Sequence, residues 1–274
     1  MNSSVEKPVL RVTDIEHFHW SLSEADLPES TALDKPVSLA AAVELALIEA
    51  HYRTLGLSSR KFNFAPNCSV YTTIKAANWP SSKKANSKQT DDIVVIVLPG
   101  AESNSWWIEQ LQLLKSKLTD NLFPPRLATA LTGGVAEMVD NAWLHSASDQ
   151  PALLAYQVRN RRFAFSVADM GIGILRSLKQ NPKYGWLQSS KEAIQFAVRP
   201  GVSSRLDGGG MGFTTMLKSM ADIWGNARVR TGQASLLIDG TQEVRTNNFI
   251  YLPQLPGLHV SVRCSLETTR NSSR

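Results

Sequence analysis

Glu137-Met138-Val139-Asp140-Asn141-Ala142-Trp143-Leu144-His145 is the stretch on which the reading of this chain turns. Upstream of it, Leu127, Leu131, Val135 and Met138 recur three or four residues apart, the spacing of one helical face, and predict a helix over Arg126–Leu144. On that helix Glu137 and Asn141 stand one turn apart and share a face. An asparagine amide oxygen suits a hard cation such as Mg²⁺, which takes only one or two protein oxygens and completes its shell with phosphates and water. A carboxylate one turn away can orient or deprotonate a water molecule. The same E-x-x-x-N spacing also occurs on plain solvated helix faces, so its meaning rests on what surrounds it.

Downstream, two strands are expected at Ala152–Val158 and Phe163–Val167, joined by the polar turn Arg159-Asn160-Arg161-Arg162. Asp169-Met170-Gly171-Ile172-Gly173 then leaves the second strand. An aspartate at a strand end can accept a hydrogen bond from the exocyclic amine of a base, while glycines let the backbone pass close to the ring. An Asx turn that merely closes the strand has the same sequence. A polar excursion from Ile174 to Asp207 leads into Gly208-Gly209-Gly210-Met211-Gly212, which opens a helix expected at Phe213–Ile223. Glycines at a helix N-terminus expose backbone N–H groups to a phosphate. Strands at Ala227–Arg230, Ser235–Asp239 and His259–Cys264 complete this half.

These three motifs, in this order and context, resemble the GHKL ATPase superfamily of DNA gyrase B subunits, heat-shock-90 chaperones, sensor histidine kinases and MutL proteins. The resemblance covers roughly Pro125 to Leu266. It implies a Bergerat-type α/β sandwich, a mixed sheet covered by helices, that binds ATP and Mg²⁺. Position by position it implies Glu137 as the acid that activates water and Asn141 as the Mg²⁺ ligand. Asp169 would read the adenine amino group, with Gly171 and Gly173 as the glycines of its box. Gly208, Gly210 and Gly212, with Met211 among them, would wrap the phosphates under a lid at 174–207, to which Lys179, Lys183, Arg199 and above all Arg205 would add cationic contacts. The motif style is nearest to the gyrase-like and anti-sigma-kinase branches.

Two departures qualify the resemblance. Many members place a threonine where Pro256-Gly257-Leu258-His259-Val260 has Leu258. The five histidines, His17, His19, His51, His145 and His259, show no H-E-x-x-x-P context, which argues against histidine autophosphorylation. The implied activity is an ATP-hydrolysing regulatory switch acting on a protein partner or a second copy. The alternatives are an anti-sigma-type serine kinase and a nucleotide-dependent interaction module.

The expected division is an irregular acidic lead-in at 1–37, an α/β module at 38–122, the ATP-binding domain at 123–266 and a tail at 267–274. In the first half, Ser38 is a plausible N-cap for a helix ending before Gly56, residues 80–91 read as an exposed loop, and Asp92–Leu98 reads as a buried strand. Ser103 or Asn104 caps a helix running to about Leu118. The chain is 274 residues long and 43% hydrophobic, which excludes collagen-like and low-complexity classes. Its net charge of +5 is uneven. Between Ala50 and Thr90 there is no acid, while Arg53, Arg60, Lys61, Lys75, Lys83, Lys84 and Lys88 interleave with Tyr52, Phe62, Phe64, Tyr71 and Trp79. That pattern suits either a solvated basic face or a surface for single-stranded nucleic acid. No apolar run approaches the ~20 residues of a membrane span and no secretion signal opens the chain, so a cytoplasmic protein is expected.

Overall fold

The computed structural model describes residues 30–33, 37–56, 61–64, 69–90, 92–98, 104–144, 146–199, 201–202, 224–239 and 248–266. Its centre is a six-stranded sheet built from β3 (Asn86–Thr90), β4 (Ile93–Leu98), β5 (Ala152–Arg159), β6 (Arg162–Ala168), β7 (Trp224–Asp239) and β8 (Phe249–Ser265). The order across the sheet is β3-β4-β5-β6-β8-β7. The architecture is α/β, but every described pairing in this sheet is antiparallel, where a mixed sheet was expected. Among the described residues the one parallel pair is separate and small, β1 (Ser30–Leu33) with β2 (Lys61–Phe64).

Helices cover both faces. On one lie α1 (Leu39–Thr54) and α2 (Ser69–Ala76), which share a core with Ile93, Val95, Val97, Leu153 and Ala155. On the other lie α3 (Asn104–Asp120), α4 (Pro125–Leu144), α5 (Gly173–Lys179) and α6 (Ser190–Ala197), packed on Ile96, Leu154, Phe165, Val167 and Val260. This explains why β4 is an unbroken run, Ile-Val-Val-Ile-Val-Leu, buried at all six positions. A strand covered on both faces has no polar side to show. It also explains α1, which starts at Ser38, whose Oγ accepts the Ala41 amide at 3.3 Å, and then is buried nearly all round.

The sheet crosses the division expected near Pro124-Pro125. β4 pairs with β5 along six residues, Ile93↔Gln157 to Leu98↔Ala152, so residues from both halves build one sheet. Pro125 opens α4 directly after the turn that ends α3, a role that suits proline at a first helical position. Two further differences concern strands. Residues 86–90, expected as loop, form the polar edge strand β3. The separate strands expected at Ala227–Arg230 and Ser235–Asp239 are one long β7, interrupted by a bulge at Thr231, Gly232 and Ala234. Beyond that bulge β7 and β8 continue as an arm carrying exposed Leu237, Ile250 and Tyr251.

The excursion expected as a polar lid is anchored over its described part. Ile174, Leu178, Tyr184, Leu187, Ala193, Ile194 and Val198 all enter the core to which α4 also contributes. Ser189 and Glu192 form a capping box at the start of α6. No described helix is long and apolar enough to cross a membrane.

Candidate functional site

Asp169 lies where β6 ends in the middle of the sheet, and it is 2% exposed. Its backbone N–H donates to the Leu258 carbonyl at 3.0 Å, continuing the β6–β8 ladder by one step. Its carboxylate accepts the Gly171 amide at 2.8 Å, an Asx turn that reverses the chain. Burial pushes the carboxyl up to about 7, against the pull of the Gly171 and Leu258 amides. A carboxyl so deprived of water is one that an added hydrogen-bond donor would stabilise in its charged form.

The loop after Asp169 is clamped from two sides. The Ile172 amide donates to the Ser146 carbonyl at 2.8 Å, and the Gly257 amide donates to the Gly171 carbonyl at 2.8 Å. Ser146 follows α4, so the helix carrying Glu137 and Asn141 ends against the glycine loop. The approach is so close that a Cβ on Gly171 would run into the Ser146 carbonyl. Gly173 takes φ +72°, the left-handed region where a side chain is strained, and starts α5.

Thr231 is the residue that sequence reasoning missed. It stands directly across the ladder from Leu258 and is 3% exposed. Its Oγ1 donates to the Gly257 carbonyl at 2.7 Å and accepts the Ile174 amide at 3.2 Å. A threonine hydroxyl thus fixes the glycine loop from β7, while Leu258 contributes its backbone to Asp169 and its side chain to the core. The available signal was its place between the apolar alternation of 227–230 and Gly232.

Glu137 is exposed and Asn141 half-buried on α4, whose Val135, Met138, Val139 and Ala142 face the core. Among the described residues no group of three or more His, Cys, Asp or Glu could hold a metal by itself. A single carboxylate and a single amide one turn apart instead fit a cation that arrives with phosphates attached. A cleft of about 480 Å³ opens beside the loop, between α5, α6 and the β7–β8 arm. Gly171, Gly173, Arg176, Lys191 and Thr231 line it, whereas Glu137, Asn141 and Asp169 do not. Arg205, Gly208, Gly210, Met211 and Gly212, with the helix expected at Phe213–Ile223, lie outside the described residues. Of the lid cations, Arg199 stacks on Phe196 at 4.5 Å and Lys183 lies 5.5 Å from the centre of the Tyr184 ring.

In the basic window, Tyr71 and Trp79 are core residues, and the Trp79 indole N–H donates to the Pro151 carbonyl at 2.8 Å. Arg53 and Lys75 both pair with Glu49, at 2.9 and 2.5 Å. These side chains are engaged within the protein, while Arg60 and the side chains of Lys61, Phe62 and Phe64 lie outside what is described.

On the face opposite the glycine loop, Glu44 of α1 is buried against three groups of the sheet. Arg228 meets its carboxylate with two N–H groups at 2.5 and 3.3 Å, Arg230 pairs with it as well, and His259 Nδ1 lies 3.3 Å away. Burial and the two arginines hold the His259 imidazole well below its usual pKa, hence neutral. No protein-family model, curated protein or solved structure matches the chain.

Proposed function

We propose that the chain is a GHKL-type ATPase, with a Bergerat-type nucleotide site built on α4, the β6 end and the glycine loop, preceded in sequence by a smaller α/β region. The observation that carries the reading is the buried carboxyl of Asp169, held at a central strand end in a glycine turn against which the E-x-x-x-N helix terminates. In this reading Asp169 accepts a hydrogen bond from the adenine amine, and the desolvated carboxylate gains a donor beyond the backbone amides it already has. Asn141 offers its amide oxygen to Mg²⁺ arriving with the triphosphate, and Glu137 takes the proton of the attacking water. Mg²⁺ supplies charge neutralisation at the phosphates. The activity would serve as a regulatory switch towards a protein partner or a second copy.

Release of phosphate from γ-labelled ATP tests this directly. Wild type should release label, and Glu137→Ala should bind ATP but release little. In a binding titration Asp169→Asn should weaken ATP by roughly 10- to 100-fold, the value of a hydrogen bond to a charged group. Unchanged ATP affinity in that variant would remove the adenine site from Asp169. Label transferred to a protein partner instead of water would make the same site that of a serine kinase.

A further inference from the structure

Successive side chains of a strand point to opposite faces of its sheet. On β7, Arg230 faces α1 while the next residue, Thr231, faces the glycine loop. On β8, His259 faces α1 and Leu258 enters the opposite core. These four residues are two neighbouring cross-strand pairs, Arg230 with His259 and Thr231 with Leu258. The first pair meets α1. Arg230 binds the Glu44 carboxylate, and His259 Nδ1 lies 3.3 Å from it. The second pair holds the loop. Thr231 Oγ1 joins the Gly257 carbonyl to the Ile174 amide, and the Leu258 carbonyl accepts the Asp169 amide.

The ladder is regular on one side only of the pair that holds the loop. Register slips between Thr231 and Gly232 and again between Gly232 and Ala234, so the regular neighbour of Thr231–Leu258 is Arg230–His259. Arg230 also reaches beyond the slip, where its Nη2 donates to the Pro253 carbonyl at 3.2 Å. One fully buried guanidinium thus ties α1 to both sides of the loop's anchor. Apolar contacts run the same way. Ala168, just before Asp169, and Leu255, across from Gly232, belong to the core that α1 and α2 share, and Met170, just after Asp169, packs against it.

We propose that Glu44 is a positioning residue of the nucleotide site, acting through Arg230 and His259, so that the seating of α1 on the sheet sets how well the glycine loop holds its ligand. This rests on the ATP reading of that loop. Such coupling is reciprocal: what α1 contributes to nucleotide affinity, bound nucleotide returns to the seating of α1. A partner that shifts α1 then changes nucleotide affinity without touching the nucleotide. Arg228 supplies an internal control. It shares the Glu44 carboxylate, at 2.5 and 3.3 Å, but stands across from Ser261, two residues further from the loop on both strands.

The test is titration of the full chain with Mg²⁺–ATP at one temperature below the melts, with the folded fraction of each variant checked by circular dichroism. Glu44→Gln and Arg230→Gln should each weaken ATP by about 5- to 150-fold, the usual span of coupling between sites. Arg228→Gln also strips one partner from a buried carboxylate and should lose stability. Its ATP affinity should nonetheless stay nearer to wild type than to Arg230→Gln, whereas a merely structural role makes affinity follow stability in all three. Amide exchange on wild type needs no variant to fold. Saturating ATP should slow the amides of α1 more than those of α3, although α3 lies with α4 on the other face of the sheet. Wild-type affinity in folded Glu44→Gln or Arg230→Gln overturns the proposal and leaves the ATP reading intact. So does an Arg228→Gln protein that loses as much affinity as Arg230→Gln, or protection of α1 no greater than that of α3. A wild type that binds no ATP overturns the reading of the site itself, and the positioning role with it.

Discussion

Glu44 and Arg230, 186 residues apart in the chain, form an ion pair in which both side chains are fully buried. One belongs to the first helix over the sheet and the other to the edge strand β7. Arg228 shares the same carboxylate. Removing one partner of a buried pair leaves the other charge without its counterion, a cost of about 3–5 kcal/mol. Glu44→Ala should therefore lower the unfolding midpoint markedly in a thermal or denaturant melt. A change under about 1 kcal/mol, the range of an exposed pair, would contradict the buried geometry.

The same relationship bears on truncation. A fragment of residues 123–266 keeps every nucleotide motif but loses β4 from the edge of β5, the α1–α2 cover over Leu153, Ala155 and Leu255, and the carboxylate of Glu44. Such a fragment should be aggregation-prone and should lack a cooperative unfolding transition. A soluble, cooperatively melting fragment would show that the second half folds without the first.

Thr231→Val keeps shape and removes one hydroxyl. The Ile174 amide and the Gly257 carbonyl would lose their shared partner in a buried place, which costs about 1–3 kcal/mol. Because those groups bracket the glycine loop, ATP affinity should fall beyond what the stability loss accounts for. Thr231→Ser should restore it. Binding curves for the three proteins at one temperature, well below their melts, check this.

Asp169 gives a pH signature whose sign is fixed by its raised pKa. The folded protein holds this proton up to about pH 7, whereas the unfolded chain releases it near pH 4. Between those values the folded state carries the extra proton, so the contribution to stability is full below pH 4 and is lost as pH rises to 7. The slope reaches at most about 1.4 kcal/mol per pH unit. Asp169→Asn cannot titrate. The stability difference between variant and wild type, measured by denaturant melts across this range, should grow with pH in favour of asparagine. A flat difference would contradict the buried, raised carboxyl.

Much of this fold was legible where one physical signal dominated. The helical period of Leu127, Leu131, Val135 and Met138 marked α4, and the unbroken apolar run Ile93–Leu98 marked a strand covered on both faces. β3 was not legible. An edge strand exposed at Ser87, Lys88, Gln89 and Thr90 has the composition of a loop, because edges are kept polar. β7 and β8 looked shorter than they are, since Gly232 and the prolines at 253 and 256 mark breaks locally while the ladder runs past them. The motifs around Asp169 were visible one by one. Invisible was the closure between them: no local pattern joins Ser146 to Gly171, Thr231 to Gly257, or Glu44 to Arg230. Such contacts are set by register across the sheet, and Pro124-Pro125 looked like a boundary because a helix-to-helix turn and a linker share the same residues.

The order of strands has a consequence for biosynthesis. β8, the last of the described strands in the chain, is inserted between β6 and β7. A growing chain emerging from the ribosome can assemble β3 to β6 in sequence, yet the far side of β6 stays open until β8 has been made. Until residues 228–230 appear, the carboxylate of Glu44 waits without its arginines, under a helix whose apolar surface has only part of its cover. The described sheet therefore closes last between β6 and the edge strand β7, the side on which Glu44 meets its arginines.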